Sequence, residues 1–314
     1  MSLEDPTPAA QQQLIADFAR AYLAEQKRQA RWRWFWRVLF AGLLLASLWA
    51  THQSMPSATA PVTPHTALVE VRGEIATEAE ANADGLNAAL ISAFEDEGAK
   101  AVVIRLNSPG GSPVQAGLIH DEIRRLKVKH KKKVYAVCEE MCASAAFYIA
   151  VAADEIWVDK ASVVGSIGVL MDGFGFTSVM DKLGVERRLM TAGANKGMLD
   201  PFSPRNEQQE AYAQAMLDQI HQQFIKVVRE GRGKRLKENE DTFSGLFWNG
   251  EQAVQLGLAD HLGSLDKIAR DVVKAEDVID YTVKENLAER LAKRFGASVG
   301  AGAVQAMRSA VTLR

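Results

Sequence analysis

"KKVYAVCEEMCASAAFYIAVAADEIWVDK", residues 132–160, reads as strand, helix, strand. "KKVYAVCEE" (132–140) carries strand-forming Val and Tyr. "SAAFYIAVAA" (144–153) is small, apolar and uncharged, a buried helix. "EIWVDK" (155–160) is a strand again. Strands separated by a helix in this way place the chain in the α/β class. One residue in the stretch is chemically unusual. Ser144 is a lone hydroxyl among alanines and bulky apolar side chains, at the start of the helix. A serine there either caps or packs, or it is a nucleophile whose base lies elsewhere in the chain.

The alternation extends upstream. "TALVEVRGEI" (66–75) predicts a strand and "EAEANADGLNAALISAFED" (78–96) an amphipathic helix. "AKAVVIRLNSPGG" (99–111) predicts a buried strand ending in a glycine turn, and "VQAGLIHDEIRRLK" (114–127) a helix. The basic run "KVKHKKK" (127–133) falls where helix must turn into strand, and reads as a solvated loop. Downstream, Met216, Ile220, Phe224 and Val227 recur at helical spacing, so residues 206–230 predict a long helix packed on the body. Residues 295–314 are Ala/Gly-rich without a strong period and read as a tail.

The totals exclude several functions. Among 314 residues the net charge is −2, which gives no reason to expect a nucleic-acid partner. Six histidines and two cysteines, scattered, make no zinc framework, and no metal site is expected. Cys138 and Cys142 read as free, packed thiols.

The N-terminus sets the compartment. "RWRWFWRVLFAGLLLASLWATHQ" follows a polar segment, and every residue from Val38 to Ala50 is apolar or small. Tryptophans suit a membrane interface, and arginines at a helix end can snorkel to the headgroups. Lys27, Arg28, Arg31, Arg33 and Arg37 precede the apolar run, and no Lys or Arg follows before Arg72. That asymmetry predicts a cytoplasmic segment (1–34), a transmembrane anchor (35–52), a linker (53–65) and an external body (66–294). The rival is a cleaved signal peptide ending near "ATA" (58–60), disfavoured by the long polar region before the core and by Pro61.

In open α/β layouts, sites gather at the carboxyl ends of strands. Two such ends stand out. In "NSPGG" (107–111), Gly110 and Gly111 let backbone N–H groups approach a developing negative charge, or simply serve a turn. The other end leads into Ser144, where a helix N-terminus favours anions. Histidine is the usual base for a serine, yet none lies between His130 and His221. Lysine is the alternative, provided it is partly desolvated. Lys196, in "TAGANKGMLDPF", is the only basic residue from Thr191 to Pro204, flanked by Gly193 and Gly197.

"RLNSPGGSP", "CASAAFYIAVAADEIWVDKASVVGSIGVL", "KLGVERRLMTAGANKGMLDPFSP" and "FWNGEQAVQLGLADHLG" occur in that order between about residues 66 and 270. Together they resemble the bacterial signal peptide peptidase family, membrane-anchored serine proteases, in its short single-repeat form. The resemblance implies the crotonase/caseinolytic-protease-like spiral of strands and helices, preceded by one N-terminal transmembrane helix. It implies Ser144 as nucleophile and Lys196, 52 residues later, as general base. Oxyanion donors would be the backbone N–H groups of Gly111, with Gly110 beside it, and of Ala145. Ser166, in "GSIG", would orient the lysine. Many family members have Gly-Gly after the nucleophile. Here Ala145–Ala146 stand there, which keeps the N–H and narrows the adjacent pocket.

The expected activity is a serine endopeptidase with a Ser–Lys dyad and no cofactor. It would degrade signal-peptide remnants and other membrane-associated peptides at the outer face of the cytoplasmic membrane. By the resemblance its partners are peptides, membrane lipid through the anchor, and further copies of itself, with Ser and Lys supplied by neighbouring subunits; the sequence itself leaves a dyad within one chain equally open. Two rivals are a non-catalytic membrane scaffold of the same fold and a crotonase-type acyl-CoA enzyme. The second is disfavoured because an external domain would not meet CoA.

Overall fold

The computed structural model describes residues 27–28, 31–47 and 63–283. Two compact units divide near Pro61. In the first, residues 31–47 are helical. Trp32, Trp34, Phe35, Phe40 and Leu45 all stand exposed on this helix, and Trp32, Phe35, Trp36 and Phe40 touch through their rings. Among the described residues no helix is long and apolar enough to cross a membrane. Residues 48–52 of the expected anchor lie outside the described residues, as do most of the linker and the tail from 284 onward.

The second unit is an α/β sheet with helices on it. β1 (His65–Arg72), β2 (Ala99–Ser108) and β3 (Lys133–Ala143) are parallel neighbours, with the short β8 (Val278–Asp280) outside β1. Crossover helices α1 (Ala83–Glu95) and α2 (Pro113–His130) join them. One sheet face packs Val69, Ile104 and Leu106 against Leu90 and Phe94 of α1 and Ile119, Ile123 and Leu126 of α2. The other face packs Leu68, Val103, Tyr135 and Trp157 against Leu265 and Ile268 near the C-terminal end. Burial on both faces explains why 102–104 is an unbroken Val-Val-Ile run.

β3 organises the site. Its first half pairs with β4 (Glu155–Val158) and its last three residues with β5 (Val163–Gly165). Between the halves the register slips: Leu106 faces Cys138, yet Ser108 faces Cys142. The surplus residues on β3 form a bulge, and a bulge bends its strand. The bend lets one strand serve two neighbours and aims its end at the short helix α3 (Ala145–Ala150). β6 (Phe247–Trp248) runs antiparallel to β5, and β7 (His261–Leu262) extends β4. Helix α4 (Thr177–Leu183) and the 26-residue α5 (Glu207–Arg232) follow β5, and α6 (Gly250–Gln255) follows β6.

Most expected elements are present, with shifted ends. β1 stops at Arg72 because Gly73 turns at positive φ, and Ile75 makes only isolated bridges, to Ala81 and Gly111. α1 starts five residues later than the pattern suggested, where Asn82 caps it by accepting from Gly85 N–H at 2.9 Å. The "KVKHKKK" loop is a correction: α2 continues to His130 and only 131–132 turn. Lys127 stays helical because its ammonium reaches inward, donating to the Ala152 carbonyl at 2.9 Å beside Asp154 at 3.3 Å. α3 is shorter than 144–153, and β3 runs on to Ala143.

Candidate active site

Ser144 sits at the junction of β3 and α3 with φ 54 and ψ −122. Non-glycine residues avoid that backbone region, at a cost of about 1–3 kcal/mol. Two hydrogen bonds hold it there. Its N–H donates to the Gly165 carbonyl at 2.8 Å, extending the β3–β5 pairing, and its carbonyl accepts from Tyr148 N–H at 3.0 Å. The side chain makes no capping hydrogen bond to α3. The bland reading of this serine, a helix cap, therefore fails. A strained strand-to-helix turn that presents a free hydroxyl is the geometry of a nucleophile elbow.

The glycine turn after β2 lies against it. A Cβ on Gly110 would come within 2.7 Å of the Ser144 Cβ and 3.1 Å of Ala145 N. Gly110 donates its own N–H to the Ser108 hydroxyl at 3.1 Å, so that group is engaged. Gly111 is different. Ile75 donates to the Gly110 carbonyl at 2.9 Å and accepts from Ser112 at 2.8 Å. In parallel pairing this pattern uses the two neighbours and turns the N–H of Gly111 to the opposite side. A Cβ on Gly111 would strike the Ile75 carbonyl oxygen at 2.2 Å, so only glycine fits. Ala145 opens α3, where first-turn N–H groups have no helical acceptor.

Ser144, Gly111, Ala145 and Ser166 line one cleft of about 530 Å³. Its remaining walls are largely apolar, with Tyr148 of α3, Val169 and Leu170 after β5, and Ile220 and Phe224 of α5. Ser166 has φ 51 and donates its N–H to the Leu246 carbonyl at 2.7 Å. Helix α5 is pinned over the cleft at its far end by Arg232, fully buried, whose guanidinium donates to both Asp260 oxygens at 2.7 and 2.8 Å. Burial pushes the Asp260 carboxyl up, but the Arg232 pair outweighs it and leaves the group below the usual carboxylate range.

Lys196 is not brought to Ser144 within the chain. It is exposed, on the stretch between α4 and α5, and is not among the cleft's lining residues. The desolvation that a lysine base needs is not supplied there by its own chain. The rival bases fare no better. His221 donates from Nε2 to the Ile167 carbonyl at 3.0 Å, which fixes α5 to the Ser166 segment, and it does not line the cleft. Cys138 and Cys142 are buried, and burial, with the contact to Cys142, pushes the Cys138 thiol well up.

Sequence reading missed the part played by Ile75, Gly165, Tyr148 and Phe224. Ile75 and Gly165 act through main-chain groups, which no residue type announces. Tyr148 falls three residues after Ala145, and that i,i+3 spacing was a signal that the two share a helix face.

With this geometry in place, known proteins show where the chain belongs. Residues 126–278 match the description "Peptidase family S49". They form a domain of that family. A protein of Brucella abortus named Na(+)/H(+) antiporter NhaA is 49% identical over 181 residues, covering 58% of this chain and 25% of that protein. Protease 4 of Haemophilus influenzae is 30% identical over 218 residues, covering 68% of this chain and 35% of its own length. A chloroplastic serine protease SPPA of Arabidopsis thaliana is 28% identical over 224 residues, 70% of this chain and 32% of that one. The chain thus spans about a quarter to a third of the length of these relatives. The antiporter name describes a protein of which the match is one quarter, so it carries nothing here.

Proposed function

We propose that this S49-domain protein is a serine endopeptidase whose nucleophile is Ser144. The observation that carries the reading is the strained, uncapped Ser144 on the wall of a cleft, between the free N–H groups of Gly111 and Ala145. Ser144 Oγ attacks the peptide carbonyl as its proton passes to a lysine amine. The Gly111 and Ala145 N–H groups hold the oxyanion of the tetrahedral intermediate. Removal of one such donor typically costs about 10²–10³ in rate. The lysine then protonates the leaving amine, and water releases the acyl group by the same path in reverse.

The base is Lys196 of a neighbouring copy, positioned by Ser166. Two observations support an assembly. Lys196 faces solvent in its own chain. The stretch that carries it exposes Leu170 by 82%, Phe174 by 78% and Met190 by 95%, with Phe176, Leu183 and Phe202 also open. Runs of exposed large apolar side chains mark interaction surfaces. The finer fold is the crotonase/caseinolytic-protease-like spiral. Membrane attachment is supported by the exposed aromatic and aliphatic side chains of the helix at 31–47 and by Arg31, Arg33 and Arg37 in its first half, with the body outside the cytoplasmic membrane. Substrates there are peptides with apolar side chains, signal-peptide remnants among them, as the apolar cleft suggests.

The test is cleavage of an apolar peptide by the full-length protein in detergent beside its Ser144→Ala form. Cleavage by the first and not the second supports the reading. Equal cleavage by both, or none by either, rejects it.

A further inference from the structure

Helix α3 is only six residues long, yet it touches two cavities. Ala145 and Tyr148 lie on one face by their i,i+3 spacing, and both line the cleft of about 530 Å³ together with Ser144. Tyr148 also lines a second cavity of about 520 Å³, with His120, Asp121 and Arg124 of α2 and Lys226 and Glu230 of α5. Gln223 is the one other residue common to both linings. Tyr148 and Gln223 are therefore the partition.

The partition is packed on the tyrosine side. The Tyr148 ring meets Phe224 at a centroid distance of 5.1 Å, and His120 edge-on at 5.4 Å with a 75° interplanar angle. His120 is fully buried, and its Nδ1 lies 2.9 Å from the Asp121 carboxylate. Burial lowers the His120 pKa, with Asp121 opposing. A neutral imidazole with Nδ1–H donating to Asp121 thus backs the tyrosine. Among the described residues its Nε2 is buried with no hydrogen-bond partner, so the ring serves the tyrosine as a packing surface. Tyr148 thus stands on the wall of the cleft that holds Ser144, where a side chain entering beside Ser144 would meet it.

We infer that Tyr148 is the gauge that sets how long a substrate side chain can seat beside Ser144. This rests on the cleft being the peptide site of a Ser144 hydrolase. Leucine-sized and phenylalanine-sized groups seat beside Ser144 short of the ring. Larger ones meet it, because His120 and Phe224 pack against the ring from two sides. Truncation of Tyr148 joins the two cavities and admits longer groups. The effect is one of size, so the hydroxyl is dispensable for it.

The experiment separates the gauge from catalysis. N-acetyl amides of leucine, phenylalanine and tryptophan are titrated by ligand-observed NMR into full-length protein in detergent, all in the Ser144→Ala background. A hydrophobic pocket discriminates by about 10–200-fold per methylene-scale change, so Tyr148→Ala should raise the tryptophan-to-leucine affinity ratio about tenfold or more. Tyr148→Leu, a milder truncation, should raise it in the same direction, and reads the effect if the alanine variant fails to fold. Tyr148→Phe should hold the ratio. An unchanged ratio in a folded truncation variant overturns the gauge. So does a Tyr148→Phe ratio that moves as far as the alanine one, or no binding of any amide to any variant. Cleavage is measured separately with Ser144 intact. A protein that binds the amides with these ratios but cleaves nothing rejects the peptidase reading and leaves the gauge standing.

Discussion

Ser112 and Ser144 occupy matching places in the chain, and their backbones differ completely. Each follows one of two adjacent parallel strands, β2 and β3, and each precedes a helix. Ser112 sits at φ −62 and ψ 122, and its hydroxyl accepts from Gln115 N–H, as a helix cap does. Ser144 sits at φ 54 and ψ −122 and caps nothing. The cause lies in what precedes each serine. β2 ends in Pro-Gly-Gly, and Gly110 and Gly111 take up the turn at φ 110 and φ 145. β3 has no glycine at its end, so the strand runs directly into the helix and the serine itself absorbs the turn. One turn puts its strain on glycines and frees a main-chain N–H. The other puts it on a serine and frees a hydroxyl. The two products meet, since Gly110 packs directly on the Ser144 Cβ.

The largest expected effect falls on the strained serine. Ser144→Ala should lower peptide cleavage by at least about 10³-fold, since loss of a serine nucleophile leaves only oxyanion and binding contributions. Steady-state kinetics on a fluorogenic peptide measures it. Ser112→Ala should not approach that loss. Should both serines prove equally dispensable, the distinction between them carries no catalytic meaning.

Lys196 tests whether the free hydroxyl has its base in another copy. Lys196→Arg should be as inactive as Lys196→Ala, because a guanidinium does not give up its proton. Ser144→Ala and Lys196→Ala chains, each inactive alone, are then co-assembled at equal ratio. In a closed ring each interface joins one chain's serine to its neighbour's lysine, so random mixing should return about a quarter of wild-type activity. Verified mixed assemblies with no activity would place the dyad within one chain.

The α/β alternation was legible because Val-rich strands and amphipathic helices leave periodic patterns. "NSPGG" and "CASAAF" were legible as places, since glycines and a lone serine between apolar runs are rare compositions. What each serine does was not legible from residue types; only the family resemblance implied Ser144 as a nucleophile. Ser112 and Ser144 differ through strand register and the Gly165 carbonyl, neither of which is written in local residue types. The basic run at 127–133 misled for a related reason. Lys127 looks solvated by composition, yet its stem packs inward and its charge meets Asp154, far along the chain. Lys196 was legible as an isolated lysine among small residues, but the sequence left open whether it meets Ser144 in its own chain or a neighbour's.

An intermediate effect is expected where the two turns touch. Gly110→Ala adds a Cβ at positive φ that would press on Ser144 Cβ at 2.7 Å and on the Ala143 carbonyl at 3.0 Å. A displacement of the nucleophile by about 1 Å can cost about 10²-fold in rate. The kcat of Gly110→Ala should fall by that order while circular dichroism stays native. A folded, fully active Gly110→Ala protein would mean that the glycine turn does not position Ser144.

The smallest effects are on stability, and they should have opposite signs at the two serines. Ser112→Ala removes a helix cap, which costs about 1 kcal/mol. The chemical-denaturation midpoint should drop modestly, with cleavage largely retained. Ser144→Gly removes no cap, because the hydroxyl makes none. It relieves the strain of a non-glycine residue at φ 54, so the folded state gains up to about 1–3 kcal/mol. Glycine's greater freedom in the unfolded chain offsets about 0.4–1 kcal/mol of that. The net expectation is a variant that is inactive yet at least as stable as the wild type. Denaturant melts of both variants at one pH decide the matter. If Ser144→Gly is destabilised as much as Ser112→Ala, then Ser144 is held by interactions of its own side chain. The contrast between a relaxed cap and a strained nucleophile then fails at its root.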